Sequence, residues 1–199
     1  FTEIKPFVSK NLIRRIEKEI PTDFEEKRKK GINDDYIAQL IQNDSVDQFV
    51  DYVKKTSPQL AIINQSIFET NSFLLKHRPS LIQYAAFCGS YKIFQFLRQC
   101  NVQIIPSIWL YAIHGKSQEI FNIIDELKLT PTDKSFEECL KEAIKCHHIE
   151  IAKFIINEKL SKQTETENRK NNYNNNLFYY SFHYYNFEFF PDDFTDEFI

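Results

Sequence analysis

An internal repeat constrains this chain more than any other feature. Ser80–Leu97 aligns without gaps onto Ser107–Ile124, pairing Tyr84 with Tyr111, Ala85 with Ala112, Ile93 with Ile120, Phe94 with Phe121 and Leu97 with Ile124. A third copy, Glu138–Ile155, holds the register with Leu140, Ala143, Ile144 and Ile151. A weaker copy, Tyr36–Val53, fits when about one residue is inserted in its turn. The central alanines Ala85, Ala112 and Ala143 recur at spacings of 27 and 31 residues.

Within each copy, apolar residues fall three and four apart on either side of a short polar turn. That spacing puts them on one face of each of two helices, so every copy reads as a helix hairpin. A lone hairpin cannot cover its own apolar stripe, whereas hairpins stacked in a row bury it continuously. The small side chains of Ala85, Ala112 and Ala143 suit a position where inner helices approach closely. The expected fold is all-α, a solenoid of stacked helix-turn-helix repeats spanning about 36–56, 80–103, 107–130 and 136–160.

The register also resembles the ankyrin family. Ala85, Ala86, Gly89, Ile93 and Leu97 fall on that family's Ala-Ala-x-x-Gly-His-x-Glu-Ile-Val-x-x-Leu-Leu pattern; Ala112, Glu119, Ile120 and Ile124 match in the next copy, and Ala143, His148, Glu150, Ile151 and Ile155 in the third. The family's Thr-Pro and His at the helix start are missing, the turn Gly is absent from two copies, and the spacing is shorter than its roughly 33 residues, which implies trimmed fingers. More narrowly, Leu81–Ser90, Ser107–His114 and Phe182–Asp193 are similar to the large ankyrin family expanded in trichomonad protists. The resemblance implies architecture: an N-terminal helical region, divergent repeats, then further repeats.

The flanks carry their own signals. Ser9–Glu19 reads as a helix stopped by Pro21, and Thr22 with Glu25 forms a potential capping box for a second helix that Gly31 would end. Together, residues 1–35 form the expected N-terminal cap. Between the first two full copies, Thr56–Pro79 contains Ile67, Phe68, Phe73, Leu74 and Leu75, so part of it should be helical and buried. Ser161–Asn176 is polar throughout and reads as a flexible insertion. Leu177–Ile199 returns to aromatics and reads as a finger leading into a further repeat that starts near Phe194.

Composition removes several function classes. Three glycines in 199 residues leave nothing from which to build a phosphate loop, while 19 Phe and 10 Tyr suit a helical core. A net charge of −3, from 28 acidic and 25 basic side chains spread along the chain, offers no field for nucleic acid or anionic lipid. The basic run Lys27–Lys30 reads as a solvated face. The cysteines Cys88, Cys100, Cys139 and Cys146 sit in apolar segments, as reduced intracellular thiols do. With no stretch of roughly 18 apolar residues to span a bilayer, a cytoplasmic location is expected. Phe1 at the start and the absence of Met read as an excerpt of a longer polypeptide.

No cofactor is expected. Cys139, Cys146, His147 and His148 have the residue types of a zinc site, but tight sites open with a Cys pair two to four residues apart, which this spacing lacks. A Cys88–His114 nucleophilic pair would need an orienting carboxylate that sequence does not supply, so no catalytic residue is expected. Trp109 reads as core. The ankyrin resemblance implies that the ends of the inner helices line a concave face, which maps to Phe87, Cys88, His114, Gly115, Lys145 and Cys146. Phe87 could either anchor a partner there or pack beneath a neighbouring finger. The expected function is non-catalytic binding of another protein, with a permanent place in a cytoskeletal or filament assembly as the alternative.

Overall fold

The computed structural model describes residues 22–54, 62–132, 135–161 and 176–190, together with Ser9, Lys10 and Arg14. Most of the expected Ser9–Glu19 helix, the polar insertion and Phe194 onward lie outside the described residues. All regular structure among the described residues is helical, and the single β-type contact is an isolated antiparallel bridge between Ile62 and Ser80. None of the described helices is long and apolar enough to cross a membrane.

The repeats fold as hairpins. Helices α2 (Tyr36–Gln42) and α3 (Val46–Val53) form the first, α5 (Leu81–Cys88) and α6 (Tyr91–Gln99) the second, α7 (Ile108–Gly115) and α8 (Gln118–Glu126) the third. The fourth pairs α9 (Glu137–Lys145) with α10 (Ile149–Phe154), which widens into a π-helical turn over Ile155–Leu160. Inner helices pack in chain order, α2 on α5, α5 on α7 and α7 on α9; the outer helices α3, α6 and α8 do the same. Ala85, Ala112 and Ala143 are buried, as are Ile93, Phe94 and Leu97 on the outer helix of the second hairpin. Each of the last three contributes about 1.5–3 kcal/mol by leaving water.

The same turn closes each hairpin. A residue with positive φ follows the inner helix, namely Asp44, Gly89, Lys116 and His147. In three of the four turns the next amide closes the loop on the small-residue position: Ser45 N donates to Leu40 O, Ser90 N to Ala85 O and His148 N to Ala143 O, all at 2.9 Å. Leu40 therefore stands in the first hairpin where the others carry Ala.

Residues 176–183 are helical, not the finger that the run of aromatics suggests. Ser181 is buried at the small-residue position, Tyr185 takes the positive φ, and Asn186 N donates to Ser181 O at 2.9 Å. This unit, α11, reproduces the inner helix and turn of the hairpins. It packs on the fourth through Asn186 Nδ2, which donates to Ile144 O at 3.0 Å, and through the Lys153–Glu188 ion pair at 2.7 Å.

Two helices lie outside the row of hairpins. α1 (Phe24–Lys30) ends at Gly31 in the left-handed conformation, as read from sequence, but begins behind Asp23 without a side-chain cap, so the Thr22–Glu25 capping box is not formed. α4 (Ser72–Lys76) lies within the apolar part of the long connection, capped by Asn71, whose side chain accepts from Phe73 N and Leu74 N. Phe68, Phe73 and Leu74 are buried there, whereas Ile67 remains 74% exposed.

Candidate functional site

The hairpin register brings Phe87, His114 and Lys145 to equivalent places at the ends of three neighbouring inner helices. One position further on stand Cys88, Gly115 and Cys146. All six are half-buried. Their environments differ.

Phe87 lies beneath α4. Its ring stacks on Phe73 at 6.1 Å and on His114 at 4.9 Å, while Phe73 also meets Tyr111 edge-on at 5.0 Å. Residues 62–79 thus cover the stretch of inner-helix surface around Phe87. Cys88 is packed beside Tyr84, and burial pushes its thiol up to about 12. Gly115 has a steric role: a Cβ there would sit 2.0 Å from the Ala86 carbonyl oxygen and 2.8 Å from Gly89 N.

His114, Lys145 and Cys146 meet around a residue that sequence reasoning did not single out, Glu142. Nε2 of His114 lies 3.0 Å from Glu142 Oε1, and Lys145 Nζ lies 2.9 and 3.1 Å from the two carboxylate oxygens. Burial pulls the Glu142 carboxyl upward, yet the hydrogen bonds from His114 and Lys145 and their charges outweigh it and bring it down to about 2. Being ionised, the carboxylate can only accept, so the histidine nitrogen facing it carries a proton. Cys146 Sγ lies 3.6 Å from Nδ1 and 3.9 Å from Nε2 of His114, and 3.9 Å from Glu142 Oε1. The imidazole is held by rings of two elements, Phe73 at 4.6 Å and Phe87 at 4.9 Å. A signal for Glu142 was present in the repeat: it stands where the other copies have Tyr84 and Tyr111.

Beside this cluster runs a groove of about 370 Å³ between α4 and α9. Phe73 and Leu110 give it an apolar floor, and Lys76, Lys141 and Lys145 stand around it with Glu138 and Glu142. A second hollow, about 390 Å³, opens between the α7–α8 and α9–α10 turns and includes Phe121, His147 and His148.

The remaining candidates fall elsewhere. Cys139 is buried and His147 exposed, so the structure does not gather the Cys139, Cys146, His147 and His148 set into one cluster among the described residues. His148 is buried; its ring bonds the Ile113 carbonyl, and Nδ1 has no partner among the described residues. Trp109 is buried, with its indole N–H donating to Leu129 O at 2.9 Å. No protein-family model, curated protein or solved structure matches this chain.

Proposed function

We propose that the chain is an ankyrin-like solenoid that binds another protein on the concave repeat surface, beside the ends of its inner helices, and performs no chemistry of its own. The supporting observation is the groove between α4 and α9, where Phe73 and Leu110 form an apolar floor and Lys76, Lys141 and Lys145 stand around it with Glu138 and Glu142. Large apolar contacts supply most of an interface's energy, and charges around them set selectivity. Such a groove suits a partner segment that carries an apolar anchor flanked by acidic residues. Because α4 already covers Phe87, contact on this reading shifts from Phe87 to Leu110, Lys141 and Lys145.

The neighbouring Cys146, His114 and Glu142 have the residue types of a nucleophile, base and orienting acid. Their state argues against that role. Sγ lies at nearly equal distances from both imidazole nitrogens instead of in line with one lone pair, and burial raises the thiol to about 11, leaving little thiolate at neutral pH.

The test places a photo-crosslinking residue at position 141 in native extract, with position 92 on α6 as control. A protein captured from 141 and not from 92 is expected, and Leu110→Asp should weaken its recovery by about tenfold, as loss of an anchor does. Equal capture at both positions overturns the reading.

One observation favours the alternative, a permanent place in a cytoskeletal or filament assembly: Tyr179, Phe182, Tyr185 and Phe187 are exposed on the last described unit. On that reading the chain self-associates or co-sediments with the assembly, and a Phe182→Ser, Phe187→Ser variant does neither. A monomer that stays in the supernatant with or without those substitutions removes it.

A further inference from the structure

The geometry points to a divalent-metal site, of the kind that takes zinc, formed by His114, Glu142 and Cys146 across the seam between the third and fourth hairpins. This goes beyond partner binding and does not rest on it. An imidazole, a carboxylate and a thiolate are all ordinary zinc ligands, and three protein ligands with one open position is the arrangement of non-structural zinc sites. Tetrahedral bonds of about 2.0–2.3 Å put neighbouring ligand atoms roughly 3.3–3.8 Å apart. Here Nε2, Oε1 and Sγ are separated by 3.0, 3.9 and 3.9 Å, so an ion fits among them with small side-chain adjustments.

Three further features suit the role. Glu142 and Cys146 are four residues apart at the end of α9, a spacing that presents two ligands on one helix face. His114 reaches them from the adjoining α7 and is held in place by Phe73 and Phe87. The Glu142 and His114 side chains are only 13% and 12% exposed, so the ligands are partly desolvated, while Glu142 and Lys145 border the groove and leave the fourth position open to it.

The metal-free state already holds a cation at this carboxylate, the Lys145 ammonium. Binding replaces it. The Cys146 thiol releases its proton to solvent as the sulfur–metal bond forms, the His114 proton passes through solvent from Nε2 to Nδ1 so that Nε2 offers its lone pair to the ion, and Lys145 swings into the groove. No electron is transferred.

Titration of the full chain with zinc chloride against a chromophoric chelator, at neutral pH under reducing conditions, tests this. One ion per chain is expected, and cobalt in its place should give a thiolate-to-cobalt charge-transfer band. Cys146→Ser should abolish that band. His114→Ala and Glu142→Gln should each weaken binding more than about 100-fold, beyond the roughly 10–100-fold that outer-shell partners alone usually carry. Lys145→Met removes the competing cation and should tighten binding severalfold, a gain that misfolding cannot produce. Binding that is unchanged by Cys146→Ser, or is weakened by Lys145→Met, or is absent at about 0.1 mM zinc, where even a Kd near 1 mM would leave a tenth of the chains loaded, overturns the site.

Discussion

The two seams on either side of α7 are closed by different physics. Towards α5, main chain meets main chain: Gly115 abuts the Ala86 carbonyl, and Gly89 lies close enough that a Cβ there would be 2.5 Å from Gly115 O. Towards α9, the residue equivalent to Gly115 is Cys146, whose Cβ prevents that approach, and the gap is filled by side chains instead. His114 and Glu142 bridge it, and Lys145 braces the same carboxylate from within α9.

The contrast extends to the turns. Ser90 Oγ donates to Ile41 O, His148 bonds Ile113 O and Asn186 Nδ2 donates to Ile144 O, so in three seams a turn side chain ties itself to the preceding inner helix at the same register position. In the α5–α7 seam that position is Ala86 O. Gly115 crowds it, and Ser117, where the tie would start, instead accepts from Ile120 N at 3.3 Å and donates to Glu119 at 2.8 Å. A seam closed by backbone contact therefore has no polar group left over for a ligand. The seam that cannot close that way collects the titratable residues and borders the groove.

The sharpest way to break this comparison is Gly115→Ala. Gly115 ends a helix, and helix propensity alone predicts a gain of up to about 1 kcal/mol for alanine. Contact with rigid backbone predicts the reverse, a loss of about 3 kcal/mol, because the nearest atoms are a carbonyl and an amide rather than a flexible side chain. Urea denaturation reads the sign directly, and a stabilised Gly115→Ala would show that the α5–α7 seam is looser than described.

The polar seam should respond more mildly. Glu142→Gln keeps the shape and removes the charge, and a loss of about 1–2 kcal/mol is expected for weakened charge-assisted hydrogen bonds to His114 and Lys145. Its pH dependence identifies the cause. The Glu142 carboxyl lies near 2 in the folded chain against an ordinary 4.5, so its contribution is complete above about 4.5 and is lost as pH falls towards 2. The wild-type advantage over Glu142→Gln, measured with chelator present, should therefore shrink across that window; a gap constant from pH 6 to pH 3 would assign the loss to packing.

The hairpins were legible because their apolar positions repeat with helical spacing and three of them share a central alanine. What sequence hid has specific causes. The unit at 176–183 carries Ser181 in place of that alanine and Tyr185 in place of the turn glycine, and the surrounding aromatics mask both. Glu142 was missed because periodicity places single residues on faces, whereas its partner His114 lies on another hairpin and only stacking brings the two together. The cover that α4 places over Phe87 was equally hidden, since the apolar content of 62–79 shows that the segment is buried but not against which surface.

The smallest expected effect concerns the turns. The ankyrin-like pattern asks for glycine at Gly89, Lys116 and His147, and only the first position has it, yet all three adopt positive φ, at 72°, 54° and 55°. A side chain there is strained, so Lys116→Gly should stabilise the chain by about 0.5–1 kcal/mol, net of the greater freedom glycine gives the unfolded state. Lys116 is exposed and its left-handed conformation is imposed by the hairpin closing around it, not by any bond of its own side chain. If Lys116→Gly instead lowers the urea midpoint, the aliphatic stem of Lys116 supports the open seam, and the division between a backbone-closed and a side-chain-filled junction would run through the turn as well as through the helices.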